Sequence, residues 1–113
     1  MTRCIFCQIA SGEAPADVVY RGPGVMAFRD IRPQAPTHIL VIPTRHLASI
    51  GEMQSGDVDL VGGLIATAAK IAESEGLHQG YRLVINTGSQ GGQSVDHLHV
   101  HLLGGRKMTW PPG

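Results

Sequence analysis

The segment His97-Leu-His99-Val-His101-Leu-Leu103 alternates imidazole with hydrocarbon. A period of two places the three histidines on one face of a strand and Leu98, Val100 and Leu102 on the other, buried one. From Asp57 to Glu75 the period changes. Val61, Leu64, Ile65, Ala68, Ile71 and Ala72 recur at helical spacing, with Ser55 as a cap and Gly76 as a stop, and predict one long helix. Gly62 and Gly63 inside it each cost about 1 kcal/mol relative to alanine, so either another element packs closely there or the helix is locally weak. Cys4-Ile-Phe-Cys7-Gln-Ile9 sets Ile5 and Ile9 one turn apart, and Ser11-Gly12 and Pro15 end the pattern, which predicts a short opening helix. Val18 to Arg21 and Val25 to Arg29 flank Gly22-Pro23-Gly24 and read as a hairpin whose glycines tolerate positive φ. His38 to Ile42, stopped by Pro43, has the character of a central strand, and Tyr81 to Asn86 supplies another. Five strands grouped in pairs, with one long and one short helix, predict an α+β fold on an antiparallel sheet.

Composition narrows the class. The 113 residues suffice for one core, so a single domain over residues 1–113 is expected. Apolar residues at 42% and charged residues at 16% fit neither disorder nor a membrane span. Nine Lys plus Arg balance nine Asp plus Glu, and aromatics are 4%, so neither a nucleic acid nor a membrane is expected as a partner. Met1-Thr2-Arg3-Cys4 leads into a mixed segment without the pattern of an export signal. With two closely spaced cysteines, reduced thiols in a cytoplasm are expected. The unusual counts are 15 Gly and 6 His.

The histidine row carries the chemistry. Same-face neighbours on a strand lie roughly 7 Å apart, so His97 and His101 stand roughly 13 Å apart and the three cannot share one ion. One H-x-H pair could hold an ion, but the whole row better suits a groove for an elongated ligand. Neutral imidazole attacks as a nucleophile without first losing a proton, provided its other nitrogen donates to a fixed acceptor. The loop from Asn86 to Ser94 contains Gly88, Gly91 and Gly92, where backbone amides can approach an anion. It lacks the Lys-Ser/Thr ending of a P-loop. Cys4-x-x-Cys7 is open to three readings: zinc ligands, a redox pair, or two buried thiols; without a preceding strand, the redox reading is weakest. His78 matches no motif and reads as a solvated loop residue.

Gln93-Ser-Val-Asp-His97-Leu-His99-Val-His101-Leu-Leu-Gly-Gly-Arg106 resembles the signature of the histidine triad (HIT) superfamily, in particular its nucleotide-binding Hint-like branch. The resemblance extends through Asp30-Ile31, Gln34-Ala-Pro-Thr-His38, Val41-Ile-Pro43, Gly80-Tyr81 and the tail Trp110-Pro-Pro-Gly113. It implies a homodimer whose sheet continues across the interface, with the tail, residues 107–113, at that interface. It also implies hydrolysis of the P–N bond of purine nucleoside 5'-phosphoramidates, derivatives of AMP or GMP, to a nucleoside monophosphate and an amine. By this similarity His99 is the nucleophile that forms a nucleotidyl-histidine, His101 contacts the phosphate, His38 orders the imidazoles and Ser94 assists the leaving amine. Backbone amides around Gly92 and Gln93 would stabilise the phosphoryl oxygens. Asp30 matches the ribose carboxylate, with Ile31 beside it. Asn86 matches a phosphate or ribose contact, and Ile5, Phe6, Ile9 and Phe28 match the base slot. For Cys4-x-x-Cys7 the resemblance adds His46 and His97 as further ligands of a structural zinc without a role in turnover.

Three alternatives are set beside this reading. One is a dinucleoside polyphosphate hydrolase with the same nucleophile. A second is a nucleotide-binding or interaction module that does not turn over. The third is a metal-handling module, motivated by the histidine and cysteine count.

Overall fold

The computed structural model describes residues 4–113. Met1 to Arg3, where the expected lack of an export signal begins, lie outside the described residues. Helix α1 (Ile5–Ser11) is followed by strands β1 (Val18–Gly22), β2 (Val25–Arg29) and β3 (Thr37–Pro43), then helix α2 (Val58–Ser74), β4 (Tyr81–Val84) and β5 (Val100–Gly104). Single 3-10 turns lie at Ile50–Glu52, Ser55–Asp57 and Ser89–Gly91. The strands form one antiparallel sheet in the order β1-β2-β3-β5-β4. This is the expected α+β architecture, five strands with one long and one short helix.

Alternation along the central strands divides the interior in two. Ile39 and Val41 of β3, with Leu98, Val100 and Leu102, face α2 and meet its Leu64, Ala68, Ile71 and Ala72. Leu40 and Ile42 point the other way and, with Met26 and Phe28 of β2, meet Phe6 and Ile9 of α1. The hydrophobic row that accompanies the histidines thus fixes the sheet against α2, and burial of a Leu or Val side chain contributes about 1.5–3 kcal/mol. The imidazole face turns toward α1.

Several local expectations need correction. The buried pair of α1 is Phe6 and Ile9, whereas Ile5 is exposed. Position 5 lies one residue, roughly 100° of helix, away from the buried stripe. Ser55 does not cap α2: it opens a 3-10 turn, and Asp57 forms the entry, its carboxylate accepting from the Gln54 amide at 2.8 Å. On α2, Ile65 faces outward and Thr67 inward, and ideal Cβ atoms at Gly62 and Gly63 would meet nothing within the chain. The β1-β2 turn is the dipeptide Pro23-Gly24, and only Gly24 has positive φ, since Gly22 closes the ladder opposite Val25. β4 ends at Val84 and not at Asn86. Regular pairing of β5 begins at Val100, so His97 and His99 precede the ladder; there the Leu98 amide bonds to the Leu47 carbonyl at 2.6 Å instead of to a neighbouring strand. Among the described residues no helix is long and apolar enough to cross a membrane.

Candidate active site and metal centre

Each of the three rings of the His97–His101 row lies on the α1 side of the sheet, but they serve two separate clusters. His97 is wholly buried and its Nε2 lies 2.8 Å from the carbonyl oxygen of Pro43. A carbonyl only accepts, so the proton sits on Nε2 and Nδ1 keeps its lone pair. Around that Nδ1 stand Cys4 Sγ at 3.3 Å, Cys7 Sγ at 3.5 Å and His46 Nδ1 at 3.2 Å, with Cys7 Sγ 3.3 Å from His46 Nδ1. All four ligand atoms lie within 4.8 Å of one another. A tetrahedral zinc with bonds of about 2.3 Å to sulfur and about 2.0–2.1 Å to nitrogen has edges of about 3.3–3.8 Å, so this donor set fits the ion in size, type and number. The Pro43 carbonyl supplies the outer partner that a ligating histidine uses to fix its tautomer. The α1 N-terminus contributes too, because the Cys7 amide donates to Cys4 Sγ.

His99 belongs to the second cluster. Its Nδ1 lies 2.7 Å from the carbonyl oxygen of His97, which fixes the proton on Nδ1 and leaves the lone pair on Nε2. The ring is 5% exposed and borders a cavity of about 390 Å³. Phe6 packs edge-on against it with centroids 5.2 Å apart, and the His101 ring lies 4.9 Å away, also at a steep angle.

A third backbone group sets the remaining tautomers. The Gln34 amide donates to His38 Nδ1 at 3.0 Å, so neutral His38 carries its proton on Nε2. That proton points to His101 Nδ1 at 2.9 Å, with Asp30 Oδ2 3.4 Å from the same nitrogen. His101 therefore holds its proton on Nε2, as the donor left to the cavity it lines. Burial pushes His38 below the ordinary histidine range, against the pull of Asp30. Burial, followed by the neighbouring rings of His99 and His38, pushes His101 down to about 4. Both rings are neutral at pH 7. Asp30, His38 and His101 also gather like a ligand set. The hydrogen bonding argues against a metal there, because the nitrogen that would bind it carries the proton shared with His101.

The cavity is lined by nine of the expected nucleotide residues: Ile5, Phe6, Ile9, Phe28, Asp30, Ile31, Ser94, His99 and His101. His38 stands behind His101. Asn86, Gly92 and Gln93 do not line it. The amides of Gly92 and Gln93, expected to meet a phosphoryl group, donate instead to the carbonyls of Ser89 and Gly88, both at 3.1 Å. They close the glycine loop on itself, with Gly88 and Gly92 at the positive φ that such a loop requires. Leu40 also lines the site and was not anticipated, although alternation with His38 on β3 puts it on that face. Pro15, Ala16 and Val95 come from irregular segments without a periodic signal. A larger hollow of about 590 Å³ lies between the turn at residues 76–80 and Gly105 to Lys107, with exposed His78 on its wall and no part of the imidazole cluster.

The fold has counterparts among known proteins. The HIT domain model matches residues 11–108, and the chain belongs to that family. A HIT family hydrolase from Legionella pneumophila, solved by crystallography, is 55% identical, with a TM-score of 0.96 over 98% of this chain and 100% of that one. A 14 kDa zinc-binding protein of Brassica juncea is 51% identical over 111 residues, 96% of this chain and 98% of the relative. A histidine triad nucleotide-binding protein from Candida albicans is 30% identical, with a TM-score of 0.81 over 96% of this chain and 82% of that one.

Proposed function

We propose that this chain is a purine nucleoside phosphoramidase of the Hint-like branch, acting on 5'-phosphoramidates of AMP or GMP. The observation that carries the reading is the bond from His99 Nδ1–H to the His97 carbonyl, which selects the tautomer with its lone pair on Nε2, in a ring that lines a cavity shared by the Asp30 carboxylate, Arg29, Arg32 and apolar side chains. Phe6, Phe28, Ile9 and Ile5 offer the base an apolar slot, and Asp30, with Ile31 beside it, offers acceptors to the ribose hydroxyls.

In this reading His99 Nε2 forms a bond to the α-phosphorus as the P–N bond breaks. The amine departs with a proton relayed from solvent through exposed Ser94. The neutral Nε2–H of His101 hydrogen-bonds a phosphoryl oxygen, held in that tautomer by His38. Water then attacks phosphorus, the P–Nε2 bond breaks, the nucleoside monophosphate leaves and the second step returns the proton taken up in the first. Cys4, Cys7, His46 and His97 would hold a structural zinc, which braces α1 against the end of β3. Support comes from the tetrahedral spacing of the four donors and from the zinc-binding relative.

The active form in this reading is a homodimer. Val58 and Ile65 on α2, Tyr81 on edge strand β4 and Trp110 in the tail are large apolar residues exposed in a single chain. Their burial in a second copy would continue the sheet past β4 and cover Gly62 and Gly63.

Incubation with adenosine 5'-phosphoramidate tests the activity. Amine release by the wild type and none by His99→Ala is the expected outcome. Faster turnover of a diadenosine polyphosphate would favour the polyphosphate hydrolase, and nucleotide binding without release of either product would favour the non-catalytic module.

A further inference from the structure

The glycine loop stands clear of the packed core. Ideal Cβ atoms at Gly88 and Gly91 would meet nothing within 4 Å, so no side-chain packing locates those residues. Its hydrogen bonds are mostly internal: Gly91 and Gln93 amides donate to the Gly88 carbonyl, and the Gly92 amide to that of Ser89. Such bonds give the loop a shape but not a place. The Gln93 side chain supplies the place. Its Oε1 accepts from the Gly88 amide at 3.0 Å, and its Nε2 donates to the Ala48 carbonyl at 2.7 Å and to the Val95 carbonyl at 3.0 Å. Both amide hydrogens are used, and Val95 is the residue that follows Ser94.

The other end of this clasp is a short segment that reaches the metal donor set and the start of the histidine row. His46 gives its ring to the metal donor set, the Leu47 carbonyl accepts from the Leu98 amide between His97 and His99, and the Ala48 carbonyl accepts from Gln93. Arg45, just before them, pairs with Asp57 at the entry to α2. Three consecutive residues therefore tie the quartet, the histidine segment and the glycine loop to one another.

We infer that Gln93 is a positioning residue: its side-chain amide, anchored on the Ala48 carbonyl two residues beyond His46, sets the glycine loop and Ser94 in place against the His99 ring. The inference rests on the phosphoramidase reading and gives Gln93 a part through its side chain instead of its backbone amide. Glutamate has the same shape but brings oxygen where two carbonyls need a donor, and methionine keeps the length without polar groups.

Gln93→Glu and Gln93→Met should be compared with the wild type at matched zinc content. Single-turnover amine release from adenosine 5'-phosphoramidate with enzyme in excess gives the rate, and the total release gives the active fraction. Steady-state kinetics gives KM, and hydrogen exchange follows the Gly88 amide. The expected result is a rate lowered about 10- to 100-fold with KM within about threefold, an unchanged active fraction and faster Gly88 exchange in both variants. Rates within about twofold of wild type in either folded variant, or a loss confined to active fraction, would overturn the positioning role. A wild type that releases no amine sinks the phosphoramidase reading itself, and this inference with it.

Discussion

His99 donates its Nδ1–H to the main-chain oxygen of His97, two residues before it, at 2.7 Å. The residue that aims the candidate nucleophile therefore also contributes its own ring nitrogen to the sulfur-and-nitrogen quartet. A carbonyl acceptor selects the tautomer whose lone pair is on Nε2, without the charge that a carboxylate would add.

Replacing His99 by alanine removes the only side chain in the proposed reaction that bonds to phosphorus. The expected loss in kcat is about 10⁴-fold or more, the scale seen when a nucleophile is deleted from a site whose other groups remain. AMP binding, followed by calorimetry, should persist because Asp30 and the apolar slot are untouched. A variant with near-normal turnover would place the nucleophile elsewhere.

Zinc should be present at one per chain by elemental analysis. Cys7→Ser substitutes a poor ligand, so the expected result is loss of zinc and a lower melting temperature. Losing a ligand held at 100 times its Kd costs about 2.7 kcal/mol, roughly 10–20 °C for a domain of this size. A chelator should lower the wild type to the level of the variant. Equal melting curves with and without chelator would contradict a structural ion.

The acid side of the stability profile carries a definite sign. His101 sits at about 4 in the folded chain and near 6.5 when unfolded, so between those values the unfolded chain binds the extra proton. His38 is lowered in the same direction by burial. Their contribution is therefore fully present above about pH 6.5 and is lost as the pH falls toward 4. Urea midpoints measured across this window should fall with pH. The slope should be shallower for His101→Asn at matched zinc content; parallel curves would show that His101 does not contribute.

Phe6 joins packing to binding. It meets Phe28 edge-on at 5.4 Å and His99 at 5.2 Å, and its side chain is buried between α1 and the sheet. Phe6→Ala should cost about 3–5 kcal/mol of stability by leaving a cavity. It should also raise KM by removing a wall of the base slot, with both effects read from denaturant titration and steady-state kinetics. Ile5→Ala, at an exposed position on the rim, should leave stability within about 0.5 kcal/mol.

The amino-acid order by itself determined the sheet and the face on which the chemistry lies. Alternation from His97 to Leu102 separates imidazole from hydrocarbon at any register, and the apolar spacing between Val61 and Ala72 makes α2 a helix before it touches anything. Positions that pack only when distant segments meet were less legible. Ile5 and Phe6 are both apolar in a seven-residue helix, and only the approach of Phe28 and Leu40 decides which is buried. Spacing could bring Cys4 and Cys7 together, but only the folded chain carries His46 and His97 to them.

The ring tautomers depended still more on tertiary structure. A histidine's residue type leaves open which nitrogen holds the proton; the Pro43 carbonyl, the His97 carbonyl and the Gln34 amide decide it for His97, His99 and His38. Gln93 is the same case, an ordinary polar residue in sequence whose amide found Ala48 across 45 positions of chain. Periodicity records what each stretch buries, since burial follows the local repeat of the backbone. Hydrogen-bond direction depends on a partner's position in space, and that exists only once the strands have paired.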